Sequence, residues 1–193
     1  MAAIDDDRIR RAVGELLAAI GEDSDREGLR ETPQRVAQAY AELFSGVGVD
    51  AASVLTEASD VVGGNADEPV ILAGVAFRST CEHHLLPFEG TASVAYLPRE
   101  RVTGLGRIAR VIDVAASRPQ LQERLTDEIA DAVERGLEAR GVLVVLSAAH
   151  ACLWARGTRT RGARTVTIVG RGAYASVEGR AEVLALIREG DTA

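Results

Sequence analysis

Two cysteines and three histidines are all that this chain contains, and they gather in two short stretches. Cys81, His83 and His84 lie within Thr80-Cys81-Glu82-His83-His84-Leu85-Leu86-Pro87-Phe88, while His150 and Cys152 sit together much later. Thiolate and imidazole are donors that zinc accepts readily. The C-x-x-H spacing of Cys81 and His84 lets a short loop offer two donors to one ion, and Cys152 can supply a third from a distant segment. Three protein donors leave one position of a tetrahedral zinc for water, which is a catalytic layout, whereas four close the site and make it structural. A Cys81–Cys152 disulfide and a closed structural site are two other readings that these residue types admit.

The elements that must position these side chains fall into an arm and a body. The arm with its trailing loop is expected over residues 1–66 and the body over 67–193. Ile9, Val13, Leu16, Leu17 and Ile20 recur at helical spacing over 5–20, and Gly21 ends that run. Thr32-Pro33 reads as an N-cap followed by proline at the first helical position, opening a second helix that stops near Gly46. Residues 48–67, with Gly63-Gly64-Asn65 and several acids, read as a loop. From Pro69 the period changes. Residues 70–77 predict a strand leading into the cysteine–histidine loop, and Gly90–Leu97 its antiparallel partner. Gly104-Leu105-Gly106 opens a helix on which Arg107 and Arg110 lie three apart, either a phosphate grip or a solvated face. Leu121, Leu125, Ile129, Val133 and Leu137 step by four through a helix over 119–139. Val142–Trp154 is apolar and β-branched and predicts a strand, whose alternation would place His150, Cys152 and Trp154 on one face. A strand over 164–169 and a short helix over 181–188 complete the chain.

Composition narrows the partners. A 193-residue chain, 47% hydrophobic and 26% charged, can bury a core of its own. Its formal charge of −7 argues against general nucleic-acid binding. The first seven residues are acidic, so no signal peptide is expected, and no apolar run is long enough to span a bilayer, so no membrane partner is expected either. Cysteines acting as thiolate ligands fit a reducing cytoplasm. All 22 basic residues are arginine, so an arginine where a relative has lysine carries little functional meaning. Arg156, Arg159, Arg161 and Arg164 fall within nine residues that include no acid, which suits an anionic ligand and equally a solvated loop.

The motifs together resemble one family. Cys81–Phe88, Gln122-Glu123-Arg124-Leu125-Thr126 and His150-Ala151-Cys152 with Arg156-Gly157 are similar to GTP cyclohydrolase I of the zinc-dependent type. Gly21-Glu22-Asp23, Arg26-Glu27-Gly28-Leu29 and Thr32-Pro33 with Arg35-Val36-Ala37 match in order as well, so the likeness runs over about residues 8–190. The resemblance implies an α+β tunnelling fold, an antiparallel sheet backed by two helices behind an N-terminal helical arm. It also implies a homodecamer with active sites at subunit boundaries. It implies Zn2+ held by Cys81, His84 and Cys152, with His83, His150 and Gln122 as the catalytic side chains. GTP would be the small-molecule substrate: its imidazole ring opens at C8, formate leaves, and 7,8-dihydroneopterin triphosphate forms. Glu123 would accept from the guanine N–H edge, and Arg35, Arg107, Arg110 and Arg156 would hold the triphosphate. This chain departs from the pattern at the phosphate end. Gln38 stands where lysine is common, Gly106 replaces a serine, Arg107 a lysine and Ile168 a polar residue, and Pro119 interrupts a usual R-R-L-Q run. A paralogue acting on another purine nucleotide or stopping at the ring-opened formamide, and a non-catalytic purine- or pterin-binding protein, are the alternatives.

Overall fold

Asp5 starts the arm, its carboxylate accepting from the Arg8 N–H at 2.9 Å and capping helix α1, Asp6–Ala19. Helix α2, Thr32–Leu43, begins at Thr32 itself, with Glu31 in the cap position and Pro33 in the first turn, where its missing N–H leaves no bond unmade. Leu17 and Ala37 are buried between the two helices, while Leu16 and Ile20 stay exposed. These features come from a computed structural model that describes residues 4–56, 59–60, 67–157 and 159–190. The Gly63-Gly64-Asn65 stretch, and with it the boundary expected after residue 66, lies outside the described residues.

The segment read as a plain loop contains structure. Asp50 caps a 3-10 helix, Ala51–Leu55, by accepting from the Ala52 N–H at 3.1 Å. A two-residue strand, β1 (Ser59–Asp60), follows. Then comes a long hairpin of β2, Val70–Cys81, and β3, Pro87–Leu97. Strand β4, Arg101–Val102, pairs with β1, and helix α3 runs Leu105–Ala116. Strand β5 is only Pro119–Gln120, and helix α4 spans Gln122–Leu137. Strand β6, Gly141–His150, leads into a single helical turn, α5, Ala151–Trp154. Strand β7, Thr165–Gly172, and helix α6, Val177–Gly190, close the described chain.

The main sheet has the order β5-β2-β3-β6-β7, antiparallel throughout except for β5, which runs parallel to the end of β2. Helices α3 and α4 and the 3-10 helix pack on one face, burying Phe77, Val94, Tyr96, Ile108, Ile112 and Val144. On α4 the four-residue step holds as expected: Leu125, Ile129, Val133 and Leu137 are fully buried, each contributing about 1.5–3 kcal/mol. Helix α6 covers part of the opposite face through Val183 and Ile187, which meet Ala95 and Leu143. The middle strands are therefore apolar on both sides, which is why they read as continuous hydrophobic runs. Gly90 permits the close approach of β6 to β3, because a Cβ there would lie 1.9 Å from the Ser147 carbonyl oxygen. Arg171 on β7 straddles α4, pairing with Asp127 at 2.8 Å and Glu134 at 3.0 Å. The whole is α+β, an antiparallel sheet backed by two helices behind a helical arm, as expected from the sequence.

Two expected boundaries shift for physical reasons. Helix α4 starts at Gln122, not Pro119, because Pro119 and Gln120 extend to pair with Thr80 and Cys81 at the sheet edge. The strand expected over 142–154 stops at His150. Phe88–His150 is the last rung of the β3–β6 ladder, and β3 begins at Pro87, which has no N–H to offer a further rung. Beyond it the chain coils into α5, with Ala155 N–H donating to the Ala151 carbonyl at 2.8 Å. His150 and Cys152 are thus not alternate residues of one strand face.

Candidate active site

The site begins where β2 ends. Cys81 is the last strand residue, and the chain returns to β3 through a tight connection. Cys81 N–H donates to the Leu86 carbonyl and Leu85 N–H to the Cys81 carbonyl, both at 2.9 Å. Leu85 takes a left-handed backbone, φ 53°, a conformation that costs a branched side chain of order 1–3 kcal/mol and is held by those flanking bonds. The turn brings His84 near Cys81, and α5, which follows β6 at the same end of the sheet, brings in Cys152. The donor atoms of Cys81, His84 and Cys152 all lie within 4.8 Å of one another. Among the described residues this is the one such group. Donors around a tetrahedral zinc are about 3.5 Å apart, so small movements would close the three on an ion. Both cysteines are free thiols, Cys81 buried and Cys152 half-buried, with His84 exposed. Two sulfurs and one imidazole fit zinc and leave a fourth position open. The His83 ring stands edge-on to His84, with centroids 6.2 Å apart.

His150 caps the other side. Its ring stacks on Phe88, with centroids 4.7 Å apart and planes inclined by 6°. Its Nε2 lies 2.8 Å from Oε1 of Gln122. Gln122 is buried, and its Nε2 donates to the Thr165 carbonyl at 2.9 Å, Thr167 Oγ1 at 3.1 Å and the Leu146 carbonyl at 3.3 Å. The direction of every proton here follows from the partners. Thr126 Oγ1 donates to the Gln122 carbonyl at 2.7 Å, so Thr167 must donate in the 2.6 Å contact with Thr126 and accept from the Gln122 amide. That turns Oε1 towards His150 and makes Nε2 of His150 the donor, which leaves Nδ1 of a neutral ring with its lone pair. Burial lowers the His150 pKa from its ordinary value, while the nearby Glu123 carboxylate pulls the other way. Glu123 is exposed in the first turn of α4, next to Gln122 and close enough to His150 for its charge to be felt.

The arginines are elsewhere. Arg35 pairs with Glu31 at 2.6 Å on the arm, and Arg110 pairs with Asp113. Arg107 is half-buried and donates to the Val54 carbonyl at 3.0 Å at the end of the 3-10 helix. Arg156 is exposed just past α5. One chain therefore unites Cys81, His83, His84, Cys152, His150, Gln122 and Glu123, and engages Arg35, Arg107 and Arg110 with other parts of itself. Gln38 is exposed on α2, and nothing lies within 4 Å of where a Gly106 Cβ would stand, so a serine would fit there. Sequence reasoning gave no role to Phe88, Thr126 or Thr167. Phe88 lay in the quoted motif, but its contact with His150 becomes visible only through the β3–β6 register.

A family model described as GTP cyclohydrolase I matches residues 9–188. This chain belongs to the GTP cyclohydrolase I family. As an enzyme of that family it is similar, at 59% identity over 187 residues, to "GTP cyclohydrolase 1" of Leifsonia xyli subsp. xyli, covering 97% of each chain. It is 51% identical to "GTP cyclohydrolase 1" of Thermobifida fusca, covering 96% of this chain and 90% of that one. A solved structure, the archaeosine synthase QueF-Like in its apo form, is similar over 54% of this chain and 93% of its own, at 21% identity and a TM-score of 0.42. The GTP cyclohydrolase I match contains every residue of the candidate site, from Arg35 to Arg156.

Proposed function

We propose that this enzyme opens the guanine imidazole of GTP by hydrolysis at C8, releases that carbon as formate, and rearranges the remainder to 7,8-dihydroneopterin triphosphate. The observation that carries this reading is the convergence of Cys81, His84 and Cys152 beside an imidazole aligned by Gln122. Cys81, His84 and Cys152 would hold zinc, and the bound metal would supply Lewis acidity. His150 takes a proton at Nδ1 and returns it at N7 of the base, and Gln122 acts through it by fixing its tautomer. Exposed His83, on the donor loop, is the second proton carrier. Glu123 accepts from the guanine N–H edge, and adenine, which presents a different edge, leaves that carboxylate unpaired.

Arg35, Arg107, Arg110 and Arg156 are assigned to the triphosphate, with the grip completed across a subunit boundary. Two observations favour a homo-oligomer, a decamer by family. Arg35, Arg107 and Arg110 of a single chain are turned to other partners, and among the described residues the sheet has unpaired edges at β7 and along most of β2. Exposed Val166 and Ile168 on β7 add an apolar surface to that edge. We read the arm, 1–66, as an assembly element and 67–193 as the catalytic body. No helix among the described residues is long and apolar enough to cross a membrane; a cytoplasmic location rests on the thiolate chemistry alone. Gln38 and Gly106 favour a second reading, action on a shorter guanine nucleotide.

The deciding experiment incubates zinc-loaded protein with GTP, GDP and GMP and identifies products by mass. Formate and dihydroneopterin triphosphate from GTP are expected. A ring-opened formamide as end product, or turnover of GMP alone, would establish the paralogue reading, and ligand binding without formate would end the catalytic one. Cys152→Ala should lose zinc and turnover while remaining folded.

A further inference from the structure

We propose that Arg124 is a positioning residue that clamps the metal-donor loop to the helix carrying Gln122 and Glu123. This rests on the reading of Cys81, His84 and Cys152 as zinc ligands. Arg124 follows Glu123 on α4. One terminal nitrogen of its guanidinium reaches the carboxylate of Glu82, the residue between Cys81 and His83, and also the Pro119 carbonyl at 3.2 Å. Its Nε donates to Gln120 Oε1 at 3.0 Å. Gln120 is fully buried, and its amide nitrogen donates to the Ala115 carbonyl at 3.0 Å and to Glu128 Oε2 at 2.7 Å. Those two acceptors fix the amide so that Oε1 faces Arg124. The backbone repeats the grip, because Glu82 N–H donates to the Gln120 carbonyl at 3.0 Å.

Glu82 is therefore held twice, by side chain and by main chain, and both holds trace to residues 119–124. The side chains of Arg124 and Glu82 are 43% and 32% exposed, so the ion pair adds little to global stability. A planar fork that satisfies three acceptors instead fixes geometry. With the fork removed, the segment from Glu82 to His84 pivots about Cys81, and His84 leaves the arrangement in which it lies within reach of Cys152. The base-reading carboxylate and the metal donors would lose their common reference at the same time.

The test uses the full-length zinc-loaded protein and a chromophoric chelator, following the rate of zinc release while thermal unfolding is recorded in parallel. Arg124→Gln and Glu82→Gln should each release zinc about tenfold faster, the size typical of losing a residue that orients a metal ligand. The double variant should be no faster than either single one, and Arg124→Lys, which keeps the charge but not the fork, should fall between. Thermal midpoints should stay within about 3 °C of wild type. Wild-type release from both single variants overturns the clamp, as do multiplying effects in the double variant or release that quickens only with a large fall in midpoint. Wild-type protein that takes up no zinc would instead bring down the metal assignment, and the clamp with it.

Discussion

His150 meets two demands that ordinarily conflict. For the proposed reaction it must be buried enough to stay neutral and yet offer one nitrogen to a reacting base. Stacking on Phe88 supplies the burial, and Nε2–H donates to Oε1 of the Gln122 amide. Gln122→Met should keep zinc content unchanged but lower turnover by about 100-fold, the scale of a general acid–base contribution. Unaltered turnover in that variant would mean that the imidazole needs no such partner. A second residue-scale outcome concerns Gln38, exposed on the same helix as Arg35 and three residues from it. Gln38→Lys should lower the KM for GTP by about tenfold if the new cation regains about 1.4 kcal/mol. Chemistry at C8 is remote, so kcat should move less. Identical GTP kinetics would show that position 38 faces away from the phosphates.

Among the elements, the 3-10 helix is tied to α4 through one carboxylate. Asp50 caps that helix and takes Arg135 at 3.0 Å. The Arg135 guanidinium, followed by the Ala52 N–H, lowers the Asp50 pKa, with burial opposing weakly. A carboxyl depressed in the folded state stabilises the fold above its unfolded pKa, about 3.9, and that contribution is lost as pH falls through the folded value. Asp50 is largely exposed, so the effect should be under about 1 kcal/mol. Asp50→Asn should melt below wild type at pH 7, and the gap should close as pH drops past 4; a gap that is constant down to pH 3 would remove the ionised carboxylate from the account. The amphipathic step of α4 was fully legible in the sequence, as was the C-x-x-H pair of Cys81 and His84, since both depend on residue type and local spacing. Cys152 joins them from a distant segment, and only the resemblance singled out that trio among the readings open to these residue types. The end of β6 was not legible. No proline or glycine inside Val142–Trp154 signals a stop, and the end is set by where β3 begins, at Pro87. The polar chain behind His150 was equally hidden, because Gln122 draws its acceptors from Leu146, Thr165 and Thr167, far away in sequence.

For the molecule as a whole, the open edge of β7 gives a direct test of assembly. Ile168→Glu places a charge on an exposed apolar position that costs the isolated subunit little. Sedimentation should show smaller assemblies, and turnover should fall with them while zinc content holds. Full activity from a dissociated subunit would place every phosphate contact within one chain. The two halves of the site also differ in when they can exist. The three proposed metal donors lie at or before residue 152, whereas the acceptors that orient Gln122 include Thr165 and Thr167 of the last strand. During synthesis, a nascent chain can gather its metal donors before β7 leaves the ribosome, but its imidazole waits for that strand. If the proposed reaction holds, competence is a late event in biogenesis: a chain whose last strand is still inside the ribosome could gather metal but could not yet open a purine ring.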